Sequence, residues 1–428
     1  MTGLRQVTSG TFRSFHVRNF RLFFAGQTVS QVGNWLTRIA QTLLVLRLTG
    51  SGVAVGLLAA AHFGPLLVFG AYAGLVADRS DKRRLLLVVQ SLAMAQSLCL
   101  AALAFMDRPP LAAIYALALA GGFAVAFDNP ARRSLVVEMV PDDHIANAVS
   151  LNSALMTGAR VVGPALAGLL VTTVGFGWAF LVDGLSYVAV LVCLYKMDTS
   201  ALRPAPEAAR GRGQVRAGLR YARGIPELWI PLVIMAVIGT LAFNFQTVLP
   251  LFAIRDLGGG EGTFTLLMSL LSLGSLLGAL ATARRETVRV RTVSLSAIAF
   301  GAALGLLSLA PNTAAALMVG VLVGLASISF MTASTAIVQM RADPAMRGRV
   351  LALQAIVFLG STPIGGPVVG AIADGFGARY SLALGALATI AAGLYGLASP
   401  QLREPAAPAP VPTEEPSLLD PTITPRAS

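Results

Sequence analysis

The fold of this 428-residue chain is decided by the stretch Gly74-Leu75-Val76-Ala77-Asp78-Arg79-Ser80-Asp81-Lys82-Arg83-Arg84. It places seven charged or hydroxyl residues between two apolar runs, at residues 53 to 77 and 85 to 106. A helix needs about 20 apolar residues to cross a bilayer, so each run is long enough. We therefore predict a short polar hairpin between two membrane helices.

The composition of the whole chain also indicates a membrane protein. Charged residues make up 12% of it and apolar residues 55%, whereas soluble domains carry about 25% charged residues. The mean hydropathy is +0.73. The net charge of +12 is compatible with nucleic-acid binding only if the basic residues share one face, and here they fall in short clusters between apolar runs. We therefore predict no nucleic-acid partner.

The sequence shows no motif of an enzyme or a metalloprotein. Cys99 and Cys193 both lie in apolar segments, and His16, His62 and His144 are scattered along the chain. The phosphate-binding loop G-x-x-x-x-G-K-[ST], which an ATP-driven pump would need, does not occur. We expect no catalysis, no metal and no cofactor, and we interpret the histidines as ordinary residues.

Apolar runs of sufficient length occur twelve times, which predicts an all-α integral membrane protein with twelve transmembrane helices. The predicted spans one to twelve lie at residues 20 to 47, 53 to 77, 85 to 106, 111 to 133, 147 to 173, 178 to 196, 229 to 253, 263 to 283, 292 to 310, 314 to 339, 350 to 373 and 380 to 399.

The distribution of lysine and arginine predicts the orientation, because these residues accumulate in cytoplasmic loops. If the N-terminus is cytoplasmic, the inside segments hold 24 of the 32 basic residues and the outside loops hold 4. The sequence therefore predicts a multi-pass protein of the plasma (inner) membrane with both termini in the cytoplasm.

The longest polar segment, residues 197 to 228, divides the spans into six and six. The last region, after residue 400, contains seven prolines and no apolar periodicity, which is typical of disorder. The predicted regions are an N-tail (1 to 18), an N-terminal six-helix bundle (19 to 196), a cytoplasmic linker (197 to 228), a C-terminal six-helix bundle (229 to 400) and a disordered cytoplasmic tail (401 to 428).

The linker carries Arg216, Arg220 and Arg223 at a spacing that places them on one face of a helix. Such a face suits the anionic headgroups of membrane lipids. The alternative is a solvated linker whose charge only follows the positive-inside rule.

The two halves of the chain partly repeat each other at an offset of 200 to 204 residues. Four matches occur in the same order: Gly70 and Gly74 with Gly274 and Gly278, 137 to 139 with 338 to 340, Gly163-Pro164 with Gly366-Pro367, and 175 to 177 with 375 to 377. Duplicated six-helix halves with a site near the bilayer midplane are the plan of many secondary transporters. We therefore predict two pseudo-symmetric bundles.

These motifs resemble the major facilitator superfamily. Gly74 to Arg84 is similar to its signature loop between helices two and three, G-x-x-x-D-R-x-x-R/K-R/K, and residues 159 to 168, Ala-Arg-Val-Val-Gly-Pro-Ala-Leu-Ala-Gly, resemble the span-five motif of its antiporters. Residues 18 to 22, Arg-Asn-Phe-Arg-Leu, and the Arg-x-x-Gly-Pro of span five are similar to the branch that contains the enterobactin exporter and macrolide efflux proteins. The resemblance covers roughly residues 18 to 400.

The resemblance implies a cytoplasmic gate in the signature loop. Asp78 would hold the outward-facing state by accepting hydrogen bonds from an opposing helix N-terminus or an arginine. The second half has Thr282 at the equivalent position, so the latch would be asymmetric. The gate candidates are Gly74, Asp78, Arg79, Arg83 and Arg84, of which the basic residues are also required by topology.

The Gly-Pro pairs of spans five and eleven have a mechanical interpretation. Proline removes a helix hydrogen bond and glycine permits close approach, so Gly163-Pro164 and Gly366-Pro367 would bend or pack tightly where the halves meet. The resemblance implies a seal against leakage, and a kink without a role in transport is the alternative.

Span one carries a polar stripe at steps of 4, 3, 4 and 3 residues, formed by Gln27, Gln31, Asn34, Arg38 and Gln41. A polar stripe in lipid must face protein or water. Interhelical hydrogen bonding would account for the amides. The arginine favours a water-filled cavity instead, so we take all five as candidate cavity residues.

Four other ionisable residues lie at membrane depth: Asp128, Arg132, Arg160 and Asp183. An unpaired charge there costs about 3 kcal/mol, so these residues should pair or line the pathway. Asp128 is our first candidate for proton coupling and Asp183 the second, while Arg132 and Arg160 are cavity candidates. Asp128 and Arg132, one helical turn apart, have the alternative of neutralising each other.

The sequence thus predicts a proton-coupled antiporter that exports amphipathic small molecules, such as drugs or siderophore-like compounds, by alternating access. Its partners would be the substrate, protons and membrane lipids, and it would act as a monomer. Export depends on the span-five resemblance alone. The alternatives are an uptake symporter, a lipid or metabolite transporter of the same fold, or a membrane sensor that transports nothing.

Overall fold

The computed structural model describes residues 13–203, 214–282 and 288–399. The predicted tail of residues 401 to 428 and most of the predicted N-tail lie outside the described residues. The α-helices of the described part are α1 Arg18–Thr49, α2 Gly52–Arg79, α3 Lys82–Ala104, α4 Leu111–Glu138, α5 Ile145–Thr173, α6 Phe176–Tyr195, α7 Gln214–Arg223, α8 Pro226–Leu241, α9 Phe245–Leu251, α10 Glu261–Thr282, α11 Val290–Ser308, α12 Thr313–Arg341, α13 Pro344–Phe376 and α14 Ala378–Ala398.

These helices confirm the predicted all-α membrane fold. Each predicted span is helical, and eleven helical stretches of the described part are long and apolar enough to cross a membrane. The remaining span is α1, whose 32 residues are long enough and which carries the polar stripe. Short 3-10 helices at Arg13–His16, Asp142–His144 and Thr199–Ala201 lie at the helix connections.

Span seven is broken in the middle of its length. It consists of α8, α9 and a π-helical turn, Phe252–Asp256. At the break, the Asn244 side chain donates to the carbonyl of Thr240, at 2.7 Å, and so satisfies a carbonyl at the end of α8. Broken helices often lie beside the binding site of a transporter, and here the break leads directly into α9.

The helices form two bundles with the same internal packing. In the N-terminal bundle α2 packs against α4 and α3 against α6, while in the C-terminal bundle the equivalent pairs are α10 with α12 and α11 with α14. The bundles contact each other through α2 with α13 and through α5 with α10, two pairs that the repeat relates. The linker helix α7 packs against α13.

Glycines bring the bundles together at one end of the molecule. A Cβ atom on Gly56 of α2 would overlap the carbonyl of Gly366 in α13, and one on Gly52 would lie 2.7 Å from the carbonyl of Gly370. In the other pair, a Cβ atom on Gly168 of α5 would overlap Thr265 of α10. Because glycine allows such close backbone approach, these contacts let the two bundles pack tightly against each other.

The register of the repeat needs one correction. Gly175 and Gly377 are the residues before α6 and α14, with φ angles of 92° and 105°. Both angles lie in the region that favours glycine, so these two residues are equivalent, at an offset of 202. The sequence comparison aligned Gly175 with Gly375 and was wrong by two residues, because the Gly-Phe-Gly triplet occurs at slightly different places in the two halves.

Several helices extend beyond their predicted ends. We predicted that span four ends at residue 133 and that span eleven begins at residue 350, but α4 continues to Glu138 and α13 begins at Pro344. The charged residues at these ends lowered the hydropathy without ending the helix. Glu138, for example, forms an ion pair with Lys82, at 3.2 Å.

Candidate functional site between the two bundles

A pocket lies where the two bundles meet. The N-terminal bundle contributes α1 and α2 to its wall, and the C-terminal bundle contributes α9, just after the break in span seven. Its lining residues are Arg38, Gln41, Thr42, Val55, Leu58, Ala59, His62 and Gln246.

Arg38 is the central charge of this pocket. Its Nη2 atom lies 3.0 Å from Nε2 of His62. Arginine has no acceptor atom, so Nε2 of His62 accepts this hydrogen bond and its ring is neutral with the proton on Nδ1. The Arg38 guanidinium also lies 5.2 Å from the Trp35 ring and 5.5 Å from the Phe63 ring. Two aromatic rings and a neutral imidazole therefore hold this cation.

Arg160 of α5 joins Arg38 at the same aromatic ring. Its guanidinium lies 5.9 Å from the Trp35 ring, and it is close enough to Arg38 for the two positive charges to repel each other. Gly163, one turn further along α5, has no room for a Cβ atom because Trp35 occupies that space. We call Arg38, Arg160, Trp35, His62, Phe63 and Gln246 the arginine pocket. Arg38, His62 and Gln246 line the cavity itself, Trp35 and Phe63 contact Arg38, and Arg160 contacts Trp35.

Gly163 therefore makes its close contact inside its own bundle. We predicted that Gly163-Pro164 packs where the halves meet, but on α5 it is Gly168 that contacts the other bundle. The predicted pair in span eleven, Gly366-Pro367, does lie at the interface, against Gly56.

The rest of the polar stripe makes hydrogen bonds within α1 or to neighbouring helices. Gln31 donates to Gln27, at 2.9 Å, and Asn34 accepts a hydrogen bond from the Tyr187 hydroxyl of α6, at 2.9 Å. Gln41 lines the pocket but donates its amide hydrogen to the carbonyl of Ile114, at 3.1 Å. Asn34 and Gln41 thus make interhelical hydrogen bonds, whereas Arg38 lies in the pocket, where the water-filled cavity stays a prediction.

Asp183 is buried inside the N-terminal bundle among hydroxyl groups. Its Oδ2 atom accepts hydrogen bonds from Thr37, at 2.6 Å, and Ser97, at 2.9 Å, and Ser186 lies 3.5 Å from Oδ1. In the part of the chain that the structure describes, no lysine or arginine lies within ion-pair distance of this carboxylate.

Asp128 is held by a cation instead. Arg132 donates to its Oδ2 atom, at 2.9 Å, and Gln90 of α3 donates to Oδ1, at 2.7 Å. Arg132 also donates to Asn129, at 2.7 Å, and contacts the sulfur of Met156, at 2.9 Å. Arg132 is therefore engaged in this cluster and does not line the pocket, contrary to its prediction as a cavity residue.

The basic residues of the signature loop hold the N-terminal bundle together. Asp81 caps α3 by accepting a hydrogen bond from the backbone of Arg84, at 3.0 Å. Arg83 donates to the carbonyls of Leu194, at 2.7 Å, and Tyr195, at 3.0 Å, in the last turn of α6. Gly74 is buried, Arg79 is exposed and Asp78 is half-buried in the last turn of α2. The Arg83 side chain thus holds α3 against α6, whereas Arg84 contributes its backbone N–H to the cap of α3.

An acid that the sequence did not single out joins the bundles at the opposite end. Asp374 of α13 accepts hydrogen bonds from the hydroxyl of Ser51, at 2.7 Å, and from the backbone N–H groups of Gly52, at 2.7 Å, and Val53, at 3.0 Å. Arg255 lies 3.2 Å from the same carboxylate and donates to the carbonyl of Gly50. We call Asp374, Arg255, Ser51, Gly52 and Val53 the Asp374 clamp.

A second contact between the bundles supports the clamp. Arg47 at the end of α1 donates to Glu261 at the start of α10, at 2.7 Å. This ion pair and the clamp lie at the end of the molecule where the glycines of α2 and α13 meet. That end is therefore closed.

The family model described as transmembrane secretion effector, MFS_3, matches residues 9–425 of the chain. The chain belongs to this family. It is thus a multi-pass transporter of the major facilitator superfamily, and the resemblance predicted from its motifs is confirmed.

Several known transporters are similar to this chain over most of their length. The staphyloferrin A transporter of Staphylococcus aureus is 25% identical over 378 residues, which is 86% of this chain and 93% of that protein. Macrolide efflux protein A of Streptococcus pyogenes is 22% identical over 377 residues, 84% and 91% of the two chains. The crystal structure of a bacterial homologue of the human lysosomal transporter Spinster superposes with a TM-score of 0.71 at 15% identity, covering 90% and 96%.

Proposed function

We propose that this transporter is a proton-coupled antiporter that exports amphipathic small molecules across the plasma membrane by alternating access. The observation that carries the proposal is the pocket itself, because both bundles build it and transporters of this plan bind their substrate where the repeats meet. The named substrates of two relatives, a siderophore and a macrolide, support siderophore-like compounds and drugs as the substrate class.

The distribution of basic residues supports an orientation with both termini in the cytoplasm. The signature loop then faces the cytoplasm and the Asp374 clamp faces the outside. In this orientation the closed clamp holds the transporter in an inward-facing state, in which the pocket accepts substrate from the cytoplasm.

The proposed cytoplasmic gate relies on the antiparallel pairing of α2 and α13. The contacts of Gly52 with Gly370 and of Gly56 with Gly366 set the register of this pair. When this pairing is continued along both helices, Asp78 near the end of α2 lies opposite residue 344, where α13 begins. A carboxylate is favourable at a helix N-terminus, so Asp78 would hold the cytoplasmic end closed, as Asp374 holds the outer end.

For proton coupling, the contacts favour Asp183 over Asp128, the reverse of the order predicted from the sequence. A coupling acid has to exist with and without its proton. Hydroxyl groups donate or accept hydrogen bonds, so the three around Asp183 can accommodate both forms. Protonation of Asp128 would leave Arg132 buried without its counter-charge, which is costly.

A row of polar side chains also supports Asp183 as the coupling acid. Tyr187 lies one turn from Asp183 on α6 and donates to Asn34, and the pair Gln31 and Gln27 continues along α1 towards its first turn. In the proposed orientation this row of side chains extends from Asp183 towards the cytoplasm, where an antiporter releases its proton.

We propose that the protein acts as a monomer without catalysis, that its outer faces contact membrane lipids, and that residues 197 to 228 link two bundles at 19 to 196 and 229 to 400. The helix α7 packs on α13, where the hydroxyl of Tyr221 accepts a hydrogen bond from the backbone of Asp343, at 2.9 Å. This contact favours a structural linker over a lipid-binding arm.

Flux in proteoliposomes tests the function. A thermal-shift screen of purified protein against hydrophobic cations, macrolides, tetracyclines and catecholates selects a ligand, and its movement is then followed with and without an imposed pH gradient. We expect movement opposite to the proton flux and its loss with a protonophore. A flux that does not depend on the pH gradient would overturn proton coupling. A flux in the same direction as the protons would indicate a symporter instead.

A further inference from the structure

Two arginines of the pocket lack the carboxylate partner that several other arginines between the helices have. Arg132 pairs with Asp128, Arg47 with Glu261 and Arg255 with Asp374. Across residues 13–203, 214–282 and 288–399, by contrast, neither Arg38 nor Arg160 has a carboxylate within ion-pair distance. The cluster around Trp35 therefore contains two positive charges that no carboxylate of the described residues balances.

The surroundings of these charges stabilise them without neutralising them. Aromatic rings attract a cation through their faces, and Trp35 lies within 6 Å of both guanidinium groups. The neutral His62 accepts one hydrogen bond from Arg38. These contacts leave most of the N–H groups of both arginines available, and the two cations still repel each other.

From this arrangement, and resting on the transport function proposed above, we propose that the arginine pocket binds the carboxylate group of its substrate between Arg38 and Arg160. The planar guanidinium presents a fork of N–H donors that matches a carboxylate. A bound carboxylate also removes the repulsion between the two cations. The substrates of this transporter are then amphipathic organic acids.

The neighbouring side chains suit the rest of such a molecule. Trp35 and Phe63 offer aromatic faces beside the proposed carboxylate position, and Val55 and Leu58 add aliphatic surface on α2. Gln246 of α9 brings an amide from the opposite bundle. An aromatic or aliphatic acid would therefore contact both bundles at once.

Three probes of nearly equal size test the proposal: 1-naphthaleneacetate, its neutral amide 1-naphthaleneacetamide, and the cation 1-naphthylmethylammonium. Their binding to the purified full-length protein is measured by isothermal titration calorimetry at neutral pH. The variants are Arg160→Gln, Arg160→Lys and Arg38→Gln. The matched control is Arg223→Gln, which removes an arginine that lies 5.2 Å from the ring of Trp229, outside the pocket.

We expect the acetate to bind at least tenfold more tightly than the amide and the cation more weakly than both. Arg160→Gln should weaken acetate binding about tenfold and leave the amide unchanged, Arg160→Lys should retain the preference for the anion, and Arg223→Gln should behave as the wild type. Arg160 is exposed, so we expect its variants to fold. They test the proposal even if Arg38→Gln does not fold. Equal affinities for the three probes, tightest binding of the cation, or an unchanged acetate affinity in Arg160→Gln would overturn the proposal.

The flux of the same probes separates this proposal from the transport function. If Arg160-dependent acetate binding is found but no probe moves with a pH gradient, the anion site stands and the proposed antiport fails. If the amide or the cation moves with a pH gradient at a rate that Arg160→Gln does not alter, antiport stands and the carboxylate site fails.

Discussion

The carboxylate of Asp374 caps α2 from the opposite bundle, since its Oδ1 atom accepts a hydrogen bond from the backbone N–H of Gly52, at 2.7 Å. The same carboxylate also binds Ser51 and Val53. Each hydrogen bond to a charged group contributes about 1.5–3 kcal/mol to stability. The contribution is smaller here because 26% of the Asp374 side chain is exposed. The clamp end of the molecule cannot open without losing these bonds.

The first prediction concerns this clamp. Asp374→Asn keeps the shape of the side chain but removes its charge, so the closed clamp end should lose about 1.4 kcal/mol, which corresponds to a tenfold shift of the equilibrium towards the open state. The reporter is Gln246→Cys in a Cys99→Ser, Cys193→Ser background. We expect a membrane-impermeant maleimide added from the outside to label it about tenfold faster.

Asp107→Asn is the matched control for the clamp. Asp107 is an exposed acid in the loop before α4, at the same end of the molecule, and we expect its loss to leave labelling unchanged. If Asp374→Asn also labels at the wild-type rate, the clamp does not stabilise the closed end.

The second prediction compares two glycines on α2. A Cβ atom at Gly56 would overlap Gly366 of the other bundle, whereas Gly64 has open space around it. Overpacking costs about 1–3 kcal/mol, so Gly56→Ala should speed labelling of the same reporter from the outside. Gly64→Ala should leave labelling unchanged and raise the unfolding temperature, because alanine stabilises a helix interior by about 0.5–1 kcal/mol over glycine. Identical labelling in the two variants would show that the α2–α13 contact does not close the outer end.

The third prediction concerns the proposed coupling acid. Asp183→Asn preserves the size of the side chain and its capacity for hydrogen bonds to Thr37 and Ser97, but it cannot exchange a proton. We expect flux driven by a pH gradient to fall at least tenfold while exchange driven by a substrate gradient stays within about twofold of the wild type. The two fluxes are compared in the same proteoliposome preparation. A pH-driven flux that persists in this variant would remove Asp183 from the coupling step.

The fourth prediction assigns a structural role to Asp128. Breaking a buried ion pair by removing one partner costs about 3–5 kcal/mol, and the side chains of Arg132 and Asp128 are only 9% and 14% exposed. Asp128→Asn should therefore lower the unfolding free energy by about 3 kcal/mol, measured by denaturant unfolding in detergent micelles. The double variant Asp128→Asn, Arg132→Gln should recover most of the loss, and an equally unstable double variant would argue against the pair.

The fold could be predicted from the sequence because its determinants are local. Each span is a continuous apolar run, and the loop from Asp78 to Arg84 interrupts two of them with charges. The helix ends were less well predicted, because charged residues such as Lys82 and Glu138 lower the hydropathy there. These two residues neutralise each other only after the helices pack. The break in span seven depends on the Asn244 side chain, whose role is not visible in the hydropathy.

The site was only partly predictable because its contacts join distant segments. Arg38 was identified by its place in an apolar helix, but His62, which we interpreted as ordinary, is 24 residues away on the next helix. Asp374 was missed because the helix it caps is 322 positions earlier in the chain. An acid in the last turn of an apolar span, without a basic residue one turn away, was the feature that could have marked it.

The most direct test of alternating access is a pair of distances measured in one set of samples by double electron–electron resonance. Spin labels at Val174→Cys and Leu309→Cys report on the clamp end, and labels at Tyr195→Cys and Met340→Cys report on the signature-loop end; all four side chains are exposed. We predict that Asp374→Asn lengthens the first distance and shortens the second, and that Asp78→Asn has the opposite effect. If the two distances change in the same direction, or if neither variant changes them, the account of two opposed gates on α2 and α13 is wrong.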